Sequence, residues 1–239
     1  MGEASEVIIP LFGILDVTGE VVTMWIILAL VAVLSLIATH KMKERPGKFQ
    51  NVIETGVEAL DNFFSGVLGK HHARKYLFFL GSMFVFIIFA NYSGLIPGVG
   101  ITKYAKAPTS SLSVTAALGI CSFVFLQIAG LRVGVKHYFK RLFFTPIFIL
   151  LILDEFIKPV SLALRLYGNV FGEETVTEEL YGLIPIGAPV VMMGLSLLFC
   201  AIQAVVFTLL VSIYLQEAVE IEELPKEKKK RKKPRRERA

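Results

Sequence analysis

The sequence predicts an all-α membrane protein: five transmembrane helices, an interfacial amphipathic helix, and a last pair of helices that form a long tilted hairpin. Three observations carry this. The 239 residues are 54% hydrophobic with a mean hydropathy of +0.65. The apolar residues gather in several runs near twenty residues, the length that crosses a hydrocarbon core, and one soluble helical domain would not string such runs together. Basic clusters recur at the ends of alternate runs, as cytoplasmic loops require.

Residues 1–20 read as a short outer segment with Pro10, Gly13 and Gly19 as turn residues. Its four acids and lack of a basic stretch do not fit a signal peptide. Residues 21–225 read as a single membrane domain. The first span, 21–39, stops at His40, Lys41 and Lys43, which places the N-terminus outside. Residues 49–69 put Phe49, Val52, Ile53, Val57, Leu60, Phe63, Phe64 and Val67 on one broad face, with Glu54, Glu58 and Asp61 near the other. That is an amphipathic helix lying in the cytoplasmic interface. Lys70, His71, His72, Arg74 and Lys75 form the next cytoplasmic flank, and adjacent histidines in a basic cluster suit a wet interfacial loop far better than a metal site.

Residues 76–96 span outward to Pro97 and Gly98. The outer loop 98–111 carries Lys103 and Lys106 against the charge bias. Residues 112–131 return to Arg132, Lys136, His137, Lys140 and Arg141. Residues 142–172 form one long interrupted run. A helix of about thirty residues reaches some 45 Å, so it must tilt, or kink near Pro146 or Pro159. Residues 173–189, with four acids, no base, and breakers at Gly182, Pro185 and Pro189, read as an outer loop. Residues 190–215 are the last span. The tail 226–239 holds ten basic residues against Glu227 and Glu237 and reads as disordered and cytoplasmic. Beside a membrane span such a tail suits anionic headgroups better than nucleic acid. Cys121 and Cys200 each lie within an apolar run, as small buried hydrophobes, and form no disulfide framework.

The stretch Asp154–Glu174, DEFIKPVSLALRLYGNVFGEE, is the anomaly. A charged residue in hydrocarbon is expensive and marks function. On a helical wheel Asp154, Ser161, Asn169 and Gly172 all fall within about 40° of Arg165, giving one polar and small-residue stripe. Acids lie at both ends: Asp154 and Glu155 nearer the inside, Glu173 and Glu174 nearer the outside. Glu155 to Glu174 is about 28 Å along a straight helix, roughly a membrane thickness. A guanidinium between them stays charged, so it repels cations and attracts a passing carboxylate rather than relaying protons. This suits two water-accessible half-paths separated by a fixed positive charge. An internally paired structural arginine is the plainer reading. On the last span Gln203 is the mid-membrane polar group, facing Arg165 across the hairpin or making a purely structural helix–helix hydrogen bond. No phosphate-binding loop, zinc motif or catalytic triad is present.

The segment SLALRLYGNVFGEE, together with NYSGLIPG, PTSSLSVT and the final long pair of spans, resembles the F-type ATP synthase subunit a family. The resemblance covers nearly the whole chain. It implies a stator subunit of the membrane F0 sector, with two aqueous half-channels that deliver and remove H+ or Na+ at the carboxylates of a rotating c-subunit ring. In this reading Arg165 prevents a short circuit and couples ion flow to rotation. Asn169 is its helical neighbour, Glu174 the outer half-channel acid, Gln203 the partner on the last helix, and Tyr214 the tyrosine near that helix's cytoplasmic end. Asp154 or Glu155 takes the inner acidic role.

The chain departs from the family pattern at three places. The outer-channel wall at Ser111 and Ser113 lacks acids, so Glu173, Glu178 or Glu179 gains importance. The usual inner acid falls at Leu151, displaced to Asp154 and Glu155. A histidine common in some relatives is Ser196. The resemblance further implies the c ring, peripheral-stalk b subunits, the remainder of the F1F0 complex and membrane lipids as partners. It implies no cofactor beyond the translocated ion, no nucleotide site and no nucleic acid. The chain would sit multi-pass in the bacterial plasma (inner) membrane, C-terminus cytoplasmic. The competing reading, a self-contained channel or secondary transporter, calls for a central substrate site and paired repeats, neither of which is visible in the sequence.

Overall fold

The computed structural model describes residues 7–11, 15–40, 47–95, 107–144, 148–183 and 187–220. A two-stranded antiparallel ladder comes first, β1 (Val7–Leu11) and β2 (Leu15–Thr18), pairing Val7 with Thr18 and Leu11 with Leu15. The sequence reading expected only turns there. Apart from that ladder, the ordered elements are helical: α1 (Gly19–His40), α2 (Lys48–Leu68), α3 (Lys70–Ser93), a 3-10 turn at Pro108–Ser110, α4 (Leu112–Phe144), α5 (Phe148–Leu183) and α6 (Ala188–Glu220).

Among the described residues four stretches are long and apolar enough to cross a membrane: α1, α3, Leu112–Arg132 of α4 and Val190–Val219 of α6. The protein is thus an all-α, multi-pass membrane protein. α5 is long enough, but its charged residues keep it outside that set.

Helix ends depart from expectation in three places. α5 does not give way to a loop at residue 173 but continues to Leu183, so Glu173, Glu174, Glu178 and Glu179 are all helical. A glycine such as Gly172 costs only about 1 kcal/mol within a helix. The Thr175 and Thr177 hydroxyls bond back to the carbonyls of Phe171 and Glu173, four residues earlier. α4 likewise runs through the basic patch to Phe144, since Arg, Lys and Leu are good helix formers. α3 begins at Lys70, which puts His71 and His72 in its first turn with rings edge to face at 5.4 Å. Lys103, Lys106 and the tail 226–239 lie outside the described residues.

The packing shows where the core sits. On α6 the buried positions among the described residues are Ser196, Cys200, Gln203, Ala204, Phe207, Thr208, Val211, Ser212, Leu215 and Val219, a stripe at helical spacing. Leu195, Leu198, Phe199, Ile202 and Val205 occupy the other side and are exposed. α3, α4 and α5 pack around that stripe, and Leu80, Ile87, Leu126, Leu162 and Leu166 close on it. Phe79 stacks on Phe125 with ring centroids 3.5 Å apart, joining α3 to α4. From α2 only Phe64 and Leu68 are buried, with Leu60 at the edge of the core; Phe49, Val52 and Val57 stay exposed. Half of the apolar face expected on this helix is therefore left uncovered by the chain.

Two glycines are needed where they stand. Gly69 joins α2 to α3 at φ 76° and ψ 150°, a conformation open essentially to glycine alone. Gly119 lets α4 approach α5 so closely that a Cβ there would sit 2.7 Å from the Pro159 carbonyl oxygen and 3.2 Å from the Ala163 Cβ.

Candidate functional site

α5 is built to present two faces. Its buried residues, Lys158, Leu162, Ala163, Leu166 and Val170, turn toward α4 and α6. The opposite side, Leu153, Phe156, Ile157, Val160 and Leu164, with Ser161 and Arg165, follows one helical strip and forms a shallow open groove of about 590 Å³. Each of those five apolar side chains is more than half exposed. Arg165 closes the strip. It is exposed, and among the described residues no hydrogen bond or ion pair engages it. A guanidinium carries five donors and a permanent charge, and the described residues leave this one unpaired.

Beside the groove, α5 and α6 run antiparallel, and among the described residues polar groups meet between them at three levels. In the middle, the Asn169 amide Nδ2 donates to Gln203 Oε1 at 2.6 Å. The expected partnership of Gln203 across the hairpin is therefore made with Asn169, one turn beyond Arg165. Gln203 is only 3% exposed and its Nε2 has no partner. Toward the C-terminal half of α5, the Glu173 carboxylate approaches Ser196 of α6, and its buried Oε1 has no hydrogen-bond partner. Near the N-terminal end of α5, Lys158 Nζ lies 3.0 Å from Glu217 Oε2, 3.1 Å from Asp154 Oδ2 and 3.6 Å from Glu155 Oε2. The ammonium also stands 5.4 Å from the centre of the Tyr214 ring. Gln127 on α4 adds a third helix by donating to Glu155 Oε1 at 2.7 Å.

The acids at the other end of α5 separate by environment. Glu173 is half-buried against α6. Glu174 approaches the end of α3, its Oε1 3.7 Å from where a Cβ on Gly94 would stand. Glu178 and Glu179 are exposed on the last turns of α5. Ser113 is exposed; Ser111 is half-buried and its carbonyl accepts from both the amide and the hydroxyl of Thr115.

Residues not singled out by the sequence complete this region. Asn91 is buried at the end of α3, its Nδ2 3.4 Å from the Cys200 carbonyl and its Oδ1 unpartnered. Thr109 on the 3-10 turn is fully buried with an unpartnered hydroxyl. Tyr92 donates to the Leu197 carbonyl at 3.2 Å. Buried polar atoms without protein partners are places for water. Asn91, Thr109, Glu173 and Gln203 supply such atoms from α3, the 3-10 turn, α5 and α6. Gln127, Lys158 and Glu217 were also missed. One signal could have found the last pair: with Asn169 opposite Gln203, an antiparallel hairpin sets Lys158 beside Tyr214, eleven residues along each helix.

The arrangement can hold a fixed charge against an outside partner and offer polar routes toward it. Among the described residues no group of three or more His, Cys, Asp and Glu could hold a metal ion. Comparison with known proteins points the same way. The family model described as ATP synthase A chain matches residues 21–216. A protein of Moorella thermoacetica named ATP synthase subunit a is 38% identical over 211 residues, covering 87% of this chain and 93% of that protein. One of Gloeobacter violaceus with the same name is 36% identical over 214 residues, covering 87% of each.

Proposed function

This chain belongs to the ATP synthase A chain family, and we propose that, as the stator subunit of the membrane sector of the F1F0 complex, it passes H+ or Na+ to and from a rotating ring of c subunits. The single observation that carries the reading is the unpaired Arg165 at the edge of an exposed apolar groove. A ring helix seated in that groove would bring its carboxylate to the guanidinium. Contact with a fixed positive charge favours the ionised carboxylate, so the ion it carried is released. The same charge repels cations and blocks direct passage between the two access paths.

The polar residues then divide into two routes. Glu173, with Asn91, Thr109, Ser196 and Gln203 around it, forms the path from the outer side, with Glu174, Glu178 and Glu179 toward its mouth and Ser111 and Ser113 at its wall. Asp154, Glu155 and Tyr214 line the inner path. Asn169 holds Gln203 beside Arg165. The N-terminus lies outside and the C-terminus in the cytoplasm, as the positive flanks of the spans favour. The ring, the b subunits of the peripheral stalk and lipid are the partners, and the membrane is the bacterial plasma membrane. The ion gradient drives the work, about 2.3 kcal/mol per charge at 100 mV.

Replacing Arg165 by Ala tests this. We expect normal assembly and a fall in ATP-driven ion uptake of about 100-fold or more, the scale seen when a preorganised charge-stabilising group is removed from a dry site. Near-normal coupled uptake in Arg165→Ala complexes would overturn the assignment.

A further inference from the structure

Lys158 lies seven residues before Arg165 and therefore on nearly the same side of α5. By sequence both cations should face the same partner. The structure separates them. Arg165 is exposed at the groove, whereas Lys158 is 9% exposed and turned into the seam with α6. The group that draws it there is Glu217, whose Oε2 is 3.0 Å from the ammonium, aided by the Tyr214 ring.

The other two carboxylates on Lys158 belong to its own helix. Asp154 and Glu155 lie four and three residues earlier. The Asp154 side chain is 54% exposed, and its neighbour Leu153 lines the groove. If Glu217 were neutral, the ammonium would keep these two helical carboxylates as its charged partners among the described residues. Their pull is toward the exposed flank of α5, and from α6 the uncharged Tyr214 ring alone would oppose it among the described residues.

We propose that Glu217 is a positioning residue: it holds the second α5 cation in the α5–α6 seam, so that Arg165 alone presents an unpaired charge to the groove. This rests on the reading of Arg165 given above. A second free cation two turns along the track would hold an ionised ring carboxylate in the wrong place and slow its reloading. Lys158 is harmless to ion transfer only while paired across the seam.

The test uses whole F1F0 complexes in liposomes, with ATP-driven uptake followed by a pH-sensitive dye and by 22Na+, and rates expressed per complex retaining this chain. Glu217→Gln should lower uptake about 5-fold or more, and Glu217→Asp should stay within 2-fold of the parent. The decisive variant is Glu217→Gln with Lys158→Gln. Removing the liberated charge should recover at least half of the parent rate. A simple structural tie between α5 and α6 would leave the double variant as poor as the single one. If Glu217→Gln alone fails to assemble, the double variant must restore assembly. The proposal is overturned if Glu217→Gln pumps normally, or if the double variant recovers neither rate nor assembly. Arg165→Ala run in parallel separates the two claims: normal pumping there removes the stator assignment, whereas normal pumping only in Glu217→Gln removes this inference.

Discussion

At the scale of single residues, the polar contacts between α5 and α6 differ in what their loss would do. Gln203→Leu leaves the exposed Asn169 amide without its protein acceptor, and losing such a hydrogen bond costs about 0.5–1.5 kcal/mol. Uptake per complex should fall about 2- to 10-fold. Asn169→Leu combined with Gln203→Leu should be no worse than either alone, a coupling read from a double-mutant cycle. Losses that multiply would mean that the two residues act separately. The wheel made Arg165, Asn169 and Asp154 legible as one stripe, because a period of 3.6 residues fixes which side chains share a face. It could not show that Lys158, on the same face, is buried. That depends on Glu217, a residue 59 positions away, and on where α6 crosses. Glu173 and Glu174, adjacent in sequence, part for the same reason: one meets Ser196 and the other the end of α3.

At the scale of elements, apolar length and basic flanks announced the helices, but their ends were harder to read. α5 runs eleven residues past Gly172, where composition suggested a loop; its glutamates and leucines are good helix formers, and Thr175 and Thr177 turn their hydroxyls onto the preceding turn. Helix-to-helix spacing was invisible until Gly119 was seen against Pro159. Gly119→Val should force α4 off α5, with complexes losing this chain at lower temperature; assembly and thermal stability unchanged from the parent would contradict that close packing. Gly69→Ala meets no atom within 4 Å, so its cost is purely conformational. A loss of about 1–3 kcal/mol is expected for an L-residue held at that φ and ψ. The measurement is the midpoint of thermal release of the chain from detergent-solubilised complex. An unchanged midpoint would mean that the α2–α3 junction can rearrange.

At the scale of the whole molecule, the sequence carried the fold class and the family, because both rest on long runs and on motifs. Which helices surround α6 was not legible, since every span is apolar on most sides and periodicity alone cannot choose a neighbour. The exposed face of α5 gives the isolated chain a particular fate in the cell. An unmatched charge facing lipid costs about 2.5–3.5 kcal/mol on insertion scales. On the proposed reading, a subunit that carries Arg165 uncovered is therefore a poor resident of the bilayer until a c ring covers it. Its lifetime should depend on the stoichiometry of synthesis: in cells lacking the c subunit, pulse-labelled chain should be cleared several-fold faster than in complete cells. Arg165→Leu should slow that clearance, and equal half-lives for the two forms would argue against it. The residue proposed to serve transport would then also mark orphaned copies for removal.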